Sequence, residues 1–405
     1  MISPFSEKQA RVATWWRAGE YDGVICDGAV RSGKTVSVAA SFAVWSTGFT
    51  GVSFIVAGQS VQSVMRNVVQ PMQRMLEEDF GIPYALNRQA GTLSFGGNTC
   101  YIVGAHDERA QDRIQGMTAA GCLLDECALM PRSFIEQAMA RCSEPGALWW
   151  FNCNPGNPGN FVKTDLIDMA GRKRLLHLHF TMQDNPALSP EYVERVGRAY
   201  TGMFHDRYIR GLWVNPEGLV YQCWDEDAMT EGVEVYPGEL CYIGMDYGIT
   251  NPTVCLMGVV RGGRLLVADE WAFDSREEGY RLTDAQIYDR VREWIGGRRV
   301  DGWAIDPSAS SFMEEVRRRG EFAPVAADNA VMPGIQTVQA GLAGGLVRID
   351  PRCRTLISEM TEYRWDVKAS ERGEDRVVKE HDHAEDALRY LVRTFGTRYV
   401  RGLDW

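Results

Sequence analysis

Residues 28–35 read GAVRSGKT and match the pattern GxxxxGK[ST] at every specified position. The segment follows an apolar run at 24–26 and precedes a helix-like stretch at 36–45. Glycines in this context let backbone N–H groups converge on a phosphate at a helix N-terminus. We predict a nucleotide-phosphate loop whose binding residues are Gly28, Arg31, Ser32, Gly33, Lys34 and Thr35.

The last two loop residues have distinct predicted roles. Lys34 neutralises the β- and γ-phosphate oxygens, and the Thr35 hydroxyl ligates Mg²⁺. The alternative is a glycine-rich turn from strand to helix that binds nothing. The complete match, between a strand and a helix, favours the phosphate loop.

Two acids follow a second apolar run, at residues 122–124. A carboxylate at the C-terminal end of a central parallel strand lies beside the phosphate loop. We predict that Asp125 binds Mg²⁺ and that Glu126 is catalytic, polarising the attacking water. An apolar run followed by two acids is by itself usually just the end of a strand. Together with the phosphate loop, it predicts ATP hydrolysis.

Several features fit this chemistry less specifically. Gln9 is predicted to read the adenine edge, and the alternative is a solvated glutamine in a first helical turn. Asn152 and Asn154 follow the strand-like run 148–151 and are predicted to couple hydrolysis to the rest of the molecule, unless they form only a turn. The sequence does not choose among five arginines that could neutralise transition-state charge: Arg31, Arg66, Arg109, Arg113 and Arg141.

The order of apolar runs predicts the architecture. In the first half, short apolar runs alternate with helix-like segments, which indicates an α/β fold with a parallel sheet covered on both faces. Residues 216–238 are acidic and rich in turn formers, as linkers are. Three closely spaced strand-like runs then predict a mixed sheet. The predicted division is 1–215, a linker at 216–238, and 239–405.

The second half offers a different set of carboxylates. Asp246 and Asp306 each close an apolar run, and Asp386 lies in the string HDHAED that leads into an apolar-faced helix. Three such acids can hold two divalent ions about 3.5–4 Å apart and cut a phosphodiester. Carboxylates suit Mg²⁺ or Mn²⁺ better than zinc. We predict these three as catalytic metal ligands, with Asp382 and His383 as further candidates.

Each of these acids also has a simpler explanation. Aspartates commonly close strands, and Asp382 followed by Glu385 resembles a capping box that only starts the helix. Glu270, near the end of another strand-like run, could face the same site or be a solvated edge acid.

Charge and hydropathy limit which partners, DNA or a membrane, the chain is expected to bind. The net charge is −11 and both halves are acidic, unlike most DNA-binding domains. DNA contact would therefore come from a local patch or be weak. No apolar run approaches the roughly 18 residues of a membrane span, so no membrane partner is expected.

The order of these motifs resembles the large terminase subunits of tailed bacteriophages. The resemblance covers nearly the whole chain, and the segments that carry it are 28–35, 123–126, 152–155, 184–186, 210–213, Asp246, Asp306 and 382–390. It implies an N-terminal P-loop ATPase of the additional-strand class and a C-terminal nuclease with a ribonuclease H-like fold.

The resemblance also implies a function and partners. ATP hydrolysis with Mg²⁺ would drive double-stranded DNA through the portal into the procapsid, and a nuclease using two Mg²⁺ or Mn²⁺ ions would cut the concatemer when packaging starts and ends. Expected partners are DNA, the portal protein, the small terminase subunit and further copies in a ring, a pentamer, on the procapsid. The expected location is the cytoplasm of the infected bacterium and not the mature virion.

Two other functions stay open at this point. A host-type ATP-dependent helicase-nuclease of DNA repair would share both sites but would carry a second motor domain, and residues 241–405 have no second ATPase pattern. An ATP-switch protein with an inactive ribonuclease H-like module would not need Asp246, Asp306 and Asp386. Because the chain stops at Trp405, a longer tail that docks on the portal is not expected.

Overall fold

Two β-sheets organise the chain in the computed structural model, which describes residues 5–200, 202–248 and 251–403. One compact unit comprises Met1–Glu194, His205–Asn215 and Lys368–Asp375, and the other comprises Arg195–Phe204, Pro216–Val367 and Arg376–Trp405. The units thus alternate along the chain. The division at 215 and 238 stays a prediction.

The first sheet contains β1 (Gly23–Gly28), β2 (Ser53–Gly58), β3 (Tyr84–Asn87), β4 (Thr92–Phe95), β5 (Asn98–Gly104), β6 (Gly121–Asp125), β7 (Leu148–Asn152) and β8 (Leu175–Phe180). The second contains β9 (Leu240–Asp246), β10 (Thr253–Arg261), β11 (Arg264–Phe273), β12 (Arg299–Ile305), β13 (Pro324–Ala326) and β14 (Val347–Ile349).

The α-helices are α1 (Glu7–Thr14), α2 (Lys34–Ser46), α3 (Val61–Val64), α4 (Gln70–Arg74), α5 (Arg132–Arg141), α6 (Pro190–Ala199), α7 (Gly202–Phe204), α8 (Glu226–Met229), α9 (Ser275–Glu278), α10 (Asp284–Ile295), α11 (Ser310–Arg319), α12 (Val331–Ala343), α13 (Arg354–Met360), α14 (Val367–Glu371), α15 (His383–Leu391) and α16 (Thr397–Tyr399). Within the described residues, no helix is long and apolar enough to cross a membrane.

The first sheet has the order β3-β4-β5-β2-β6-β7-β1-β8. All neighbouring pairs are parallel except β3 with β4 and β4 with β5. Strand β7 separates β1, which leads into the glycine-rich loop, from β6, which ends in Asp125. This is the additional strand of the predicted P-loop class, so the predicted fold of this half is confirmed.

Burial on both faces explains the continuous apolar strands of the first sheet. In β1, Val24 and Cys26 belong to one core cluster, whereas Ile25 between them belongs to the cluster on the other side. Successive strand residues point to opposite faces, so a sheet covered on both sides needs an unbroken apolar run. An aromatic group of Trp15, Trp45 and Trp150 fills part of the first cluster.

The second sheet has the order β13-β12-β9-β10-β11-β14. Strands β9, β10 and β11 pair antiparallel, whereas β12 runs parallel to β9 and to β13. A hairpin joins β10 to β11, and Gly262 and Gly263 supply the positive φ that a two-residue turn of this kind requires. The sheet is mixed, as predicted.

Helix α15 crosses this sheet at an unusually short distance. A Cβ atom on Gly244, in β9, would lie 2.3 Å from the carbonyl oxygen of Ala387 and 2.7 Å from Cβ of Leu391. Only a glycine lets the backbone of the helix come this close to the strand. The close approach sets the height of α15, and of the acids on it, above the sheet.

We expect Gly244→Ala to destabilise the second unit, because backbone atoms rather than a flexible side chain oppose the new methyl group. Overpacking of this kind costs about 2 kcal/mol, which lowers Tm by about 4–8 °C in a domain of this size. The measurement is thermal unfolding of the full chain. In the matched control Gly297→Ala, whose Cβ would meet nothing within 4 Å, Tm should change little.

Candidate nucleotide and metal sites

The phosphate loop depends on two glycines with backbone conformations that other residues rarely adopt. Gly28 has φ +127°, and a Cβ there would lie 1.9 Å from the carbonyl oxygen of Phe180. Gly33 has φ +88° and is the N-cap of α2. The loop therefore passes directly into the N-terminus of a helix, where backbone N–H groups and the helix dipole favour an anion.

The loop lysine is surrounded by oxygen atoms. Lys34 Nζ donates to the carbonyl oxygens of Gly28 at 3.0 Å and Ala29 at 2.6 Å, and to Asn154 Oδ1 at 3.1 Å. Burial lowers the pKa of Lys34 to about 8. Ser32 Oγ donates to the same Ala29 oxygen at 2.8 Å and stiffens the loop. Lys34, predicted to bind phosphate, and Asn154, predicted to couple hydrolysis to the rest of the molecule, are thus in direct contact.

One asparagine joins the two predicted magnesium ligands. Strands β6, β7 and β1 are neighbours, and Asp125 stands opposite Asn152 in the register of β6 and β7. Asn152 Nδ2 donates to Thr35 Oγ1 at 2.8 Å and to Asp125 Oδ1 at 2.6 Å. Burial raises the pKa of Asp125, although hydrogen bonds from Asn67 and Asn152 oppose the shift. Strand β7 therefore places the Asn152 amide between the Thr35 hydroxyl and the Asp125 carboxylate.

The second acid of the pair has a strained backbone. Glu126 has φ +56°, a left-handed conformation that is uncommon outside glycine and often marks a functional site. Burial and the charge of Asp125 raise its pKa, while the charge of Arg66 opposes that shift. A carboxylate with a raised pKa is a better proton acceptor near neutral pH.

The other candidate arginines have different surroundings. Arg31 lies exposed in the loop with φ +57°, and Arg113 Nη1 donates to the carbonyl oxygen of Gly104 at 2.9 Å, which fits a structural role. Arg109 is exposed and Arg141 ends α5. Of the five candidates, Arg66 has the charge that acts on Glu126.

Gln9 is held against the loop rather than solvated. Only 5% of its surface is exposed, so the alternative of a solvated glutamine is wrong. Its Oε1 accepts from the backbone N–H of Ser6 at 2.9 Å and completes a capping box at the start of α1. Its Nε2 lies so close to Gly33 that a Cβ there would be 2.1 Å away.

A buried carboxylate below the loop was not predicted. Asp27, in β1 directly before Gly28, is 2% exposed and lies 2.8 Å from His177 Nε2 and 3.1 Å from His179 Nδ1. Trp213 Nε1 donates to its other oxygen at 2.7 Å. Burial alone would raise the pKa of Asp27, but these three contacts hold it well below the usual value. The sequence feature that could have indicated this site is an acid, Asp27, directly before the phosphate loop.

The second unit brings two predicted acids to one edge of its sheet. Asp246 ends β9 and Asp306 follows β12, which runs parallel to β9 with Ile305 opposite Met245. Parallel neighbours end at the same edge, so the two carboxylates share a neighbourhood. Burial raises the pKa of Asp246, and the charges of Asp386 and Asp306 add to this shift.

Helix α15 carries the third acid to the same place. His383 Nδ1 lies 2.8 Å from Asp246 Oδ2. Tyr390 OH donates to Asp306 Oδ2 at 2.6 Å and, with the backbone N–H of Ser308, holds the pKa of Asp306 below its usual value in spite of burial. Asp386 accepts from Arg389 Nη2 at 2.6 Å. Tyr390 and Arg389 were not predicted.

The capping-box interpretation of Asp382 is wrong. Asp382 stands at the N-cap of α15, but its side chain makes no cap hydrogen bond. The cap comes from elsewhere, because Glu359 Oε2 accepts from the backbone N–H groups of Ala384 and Glu385 at 2.8 and 3.2 Å. Burial raises the pKa of Glu359 to about 7. The Asp382 carboxylate instead pairs with Lys379.

Glu270 has a structural role. Its two carboxylate oxygens accept from the backbone N–H groups of Thr355 and Leu356, each at 2.9 Å, at the start of α13. The carboxylate therefore stabilises a helix N-terminus instead of joining Asp246.

Asp246, Asp306, Asp382 and Asp386 form the acid cluster of the second unit. Its side chains offer carboxylate oxygens and no thiolate, which suits a hard divalent cation. Among the residues described, no three or more His, Cys, Asp or Glu side chains have the spacing of a metal site. Basic and hydroxyl groups contact the oxygens of the acids instead: His383, Tyr390, Arg389 and Lys379.

Comparison with known proteins agrees with both halves of the structure. A family model described as terminase large subunit, T4likevirus-type, N-terminal matches residues 25–227, and a model of the terminase RNaseH-like domain matches 243–394. The two matches identify a terminase domain in each half of the chain. The second match confirms the ribonuclease H-like fold predicted for the second half.

Individual relatives are consistent with this class. The terminase large subunit of Escherichia phage T5 is 23% identical over 225 residues, covering 53% of this chain and 50% of that protein, so the match spans half of that relative. A large terminase from a thermophilic bacteriophage is 40% identical, with a TM-score of 0.93 over 97% of this chain and 99% of that one. Its complex with ADP has 40% identity and a TM-score of 0.92 over the same shares. The chain belongs to the terminase large subunit family.

We expect Asp27→Asn to destabilise the first unit at pH 7 by about 2 kcal/mol, because an amide cannot accept all three hydrogen bonds. The folded-state pKa of Asp27 is lowered, so its stabilisation is complete above the unfolded value near pH ~4 and is lost as the pH falls through the folded value. The measurement is Tm against pH, and the difference from wild type should narrow below pH ~4.

The matched control for this pH profile is Asp22→Asn. Asp22 precedes β1 and forms an exposed ion pair with Arg174 Nε at 3.2 Å. Exposed pairs contribute about 0–1 kcal/mol, so Tm should change little. A constant difference between Asp27→Asn and wild type down to low pH would contradict the assigned role of Asp27.

Proposed function

We propose that this chain is a genome-packaging motor with an ATPase over residues 1–215, a linker over 216–238 and a nuclease over 239–405. The observation that carries the proposal is the pairing of two arrangements in one chain. Asn152 joins Thr35 to Asp125 beside a phosphate loop, and three aspartates gather at the edge of a ribonuclease H-like sheet.

In the ATPase, each described contact supports a role. The loop amides and Lys34 bind the phosphates, and Thr35 and Asp125 hold Mg²⁺. Glu126 orients and deprotonates the attacking water, which its raised pKa favours. Gln9 reads the adenine edge beside Gly33. The large terminase of the thermophilic phage has structures in complex with ADP and with ATP-γ-S, which supports nucleotide binding by this chain.

In the nuclease, Asp246, Asp306 and Asp386 hold two Mg²⁺ or Mn²⁺ ions, with Asp382 as a further ligand. When bound, such ions supply an activated water and stabilise the leaving oxygen of a phosphodiester. The protein's part is to keep the carboxylates in place. Tyr390 positions Asp306 and Arg389 positions Asp386, because each side chain donates directly to the acid.

The coupling segment is the asparagine-rich stretch that begins at Asn152, the last residue of β7. Asn152 contacts both predicted magnesium ligands, and Asn154 contacts the loop lysine. Further along, Asn157 is 2% exposed and its Nδ2 donates to Ser370 Oγ at 3.0 Å, within the same unit. Loss of the γ-phosphate would therefore first change the contacts of Asn152 and Asn154, which lie on the same short segment as Asn157.

The proposed partners are double-stranded DNA, the portal protein, the small terminase subunit and further copies of this chain in a pentameric ring on the procapsid. The acidic chain binds DNA weakly on average, which favours movement along the duplex. The proposed setting is the cytoplasm of the infected bacterium. The terminase is absent from the finished virion. Stimulation of ATP turnover by portal-bearing procapsids distinguishes packaging from DNA repair.

We expect Lys34→Ala to lower ATP turnover by at least about 100-fold, since the cation on the phosphates is lost. Metal-dependent cleavage of plasmid DNA by the same full-length protein should persist. Steady-state phosphate release and agarose-gel cleavage measure the two activities on one preparation. Retained ATP turnover would remove the loop from the proposed mechanism.

The reciprocal substitution is Asp246→Asn. It should abolish plasmid cleavage in Mn²⁺ while ATP turnover continues, because an amide is a poor ligand for a hard cation. Asp301→Asn is the matched control, since Asp301 is exposed on β12 of the same sheet, and it should cut like wild type. Cleavage that survives Asp246→Asn would place the nuclease site elsewhere.

A further inference from the structure

One lysine in the acid cluster is held differently from the other basic groups. Lys379 Nζ lies 2.8 Å from Asp382 Oδ2 and 3.0 Å from Asp386 Oδ2, between the two carboxylates. Its side chain is 56% exposed. The ammonium group therefore neutralises two acids at once, from the end of a long stem that reaches in from solvent.

The neighbouring arginine offers a contrast. Arg389 is 2% exposed, its Nη1 donates to the carbonyl oxygen of Asn329 at 2.9 Å, and its stem packs so closely on Gly334 that a Cβ there would lie 2.3 Å from it. It cannot leave Asp386 without opening the core of the unit. The Lys379 side chain is more than half exposed instead, and a lysine ammonium on a flexible stem moves more freely than a buried guanidinium.

We propose that Lys379 is a displaceable counter-ion of the nuclease site, which competes with a divalent cation for Asp382 and Asp386. The inference rests on the proposed metal site and adds a regulator of its occupancy. Without metal, the ammonium keeps two adjacent carboxylates from repelling each other. A divalent cation binds the same oxygens only after the ammonium has moved out into solvent, which costs part of the ion-pair energy.

The consequence is a site that is stable without metal but binds it less tightly than its carboxylates alone would allow. Arg389 fixes the position of Asp386 in both states, whereas Lys379 changes its contacts. A moderate affinity limits cutting to conditions in which metal binding gains a further contribution, such as a DNA phosphate that shares the ion.

The test is the titration of metal-free full-length protein with MnCl₂ by calorimetry, in the absence of nucleotide and DNA. We expect Lys379→Met to lower the Kd for Mn²⁺ by about three- to tenfold, since a competing cation in a half-exposed ion pair is removed. In EDTA the same variant should show a lower Tm than wild type. Mn²⁺ should then raise its Tm by more than it raises that of wild type.

Two control variants separate charge from packing. Lys379→Arg keeps the charge and should bind Mn²⁺ no more tightly than wild type. Lys368→Met removes an exposed lysine outside the acid cluster and should change neither Kd nor Tm. An unchanged or higher Kd in Lys379→Met would overturn the proposal.

Asp246→Asn separates this inference from the proposed function. If wild-type binding of Mn²⁺ depends on Asp246 while Lys379→Met binds like wild type, the metal site stands and only the displaceable counter-ion is wrong. If Asp246→Asn binds Mn²⁺ as wild type does, both the metal site and the counter-ion are overturned.

Discussion

Buried negative charge at the ends of strands is the constraint on which both sites depend. A carboxylate loses its hydration when it is buried and persists only with donors or cations beside it. Asp125 has the amides of Asn67 and Asn152, and Asp246 has His383. Each acid is therefore tied to its surroundings, and its position depends on the packing of the whole unit.

The two units meet this constraint with different topologies. In the first, insertion of β7 between β1 and β6 puts an asparagine where it contacts hydroxyl and carboxylate together. In the second, parallel pairing of β9 and β12 aligns two acids, and Gly244 lets α15 bring the third one close. The site chemistry differs, but in both cases strand order decides which polar groups can meet.

Sequence reasoning named candidate residues for these sites but not the contacts that those residues make. The phosphate loop, the acids and the alternation of apolar runs are local patterns, so the α/β class and the mixed sheet followed from them, whereas the additional strand was implied by the family resemblance. Tyr390 and Glu359 are distant in the chain from the residues they contact and carry no local signal, whereas Arg389 lies only three residues from Asp386. Asp382 looked like a helix cap because its spacing to Glu385 fits one.

The amino-acid sequence by itself determined the elements and the family, because hydropathy period, glycine positions and motif spacing are properties of short segments. Only the tertiary structure decided which partner each charged group has. Asp27 with two histidines and a tryptophan, and Lys379 between two aspartates, are contacts whose energies depend on burial and on distances of a few ångströms. The contacts of Asp27 arise when separate segments pack, whereas those of Lys379 lie within residues 379–386 and depend on how that segment folds.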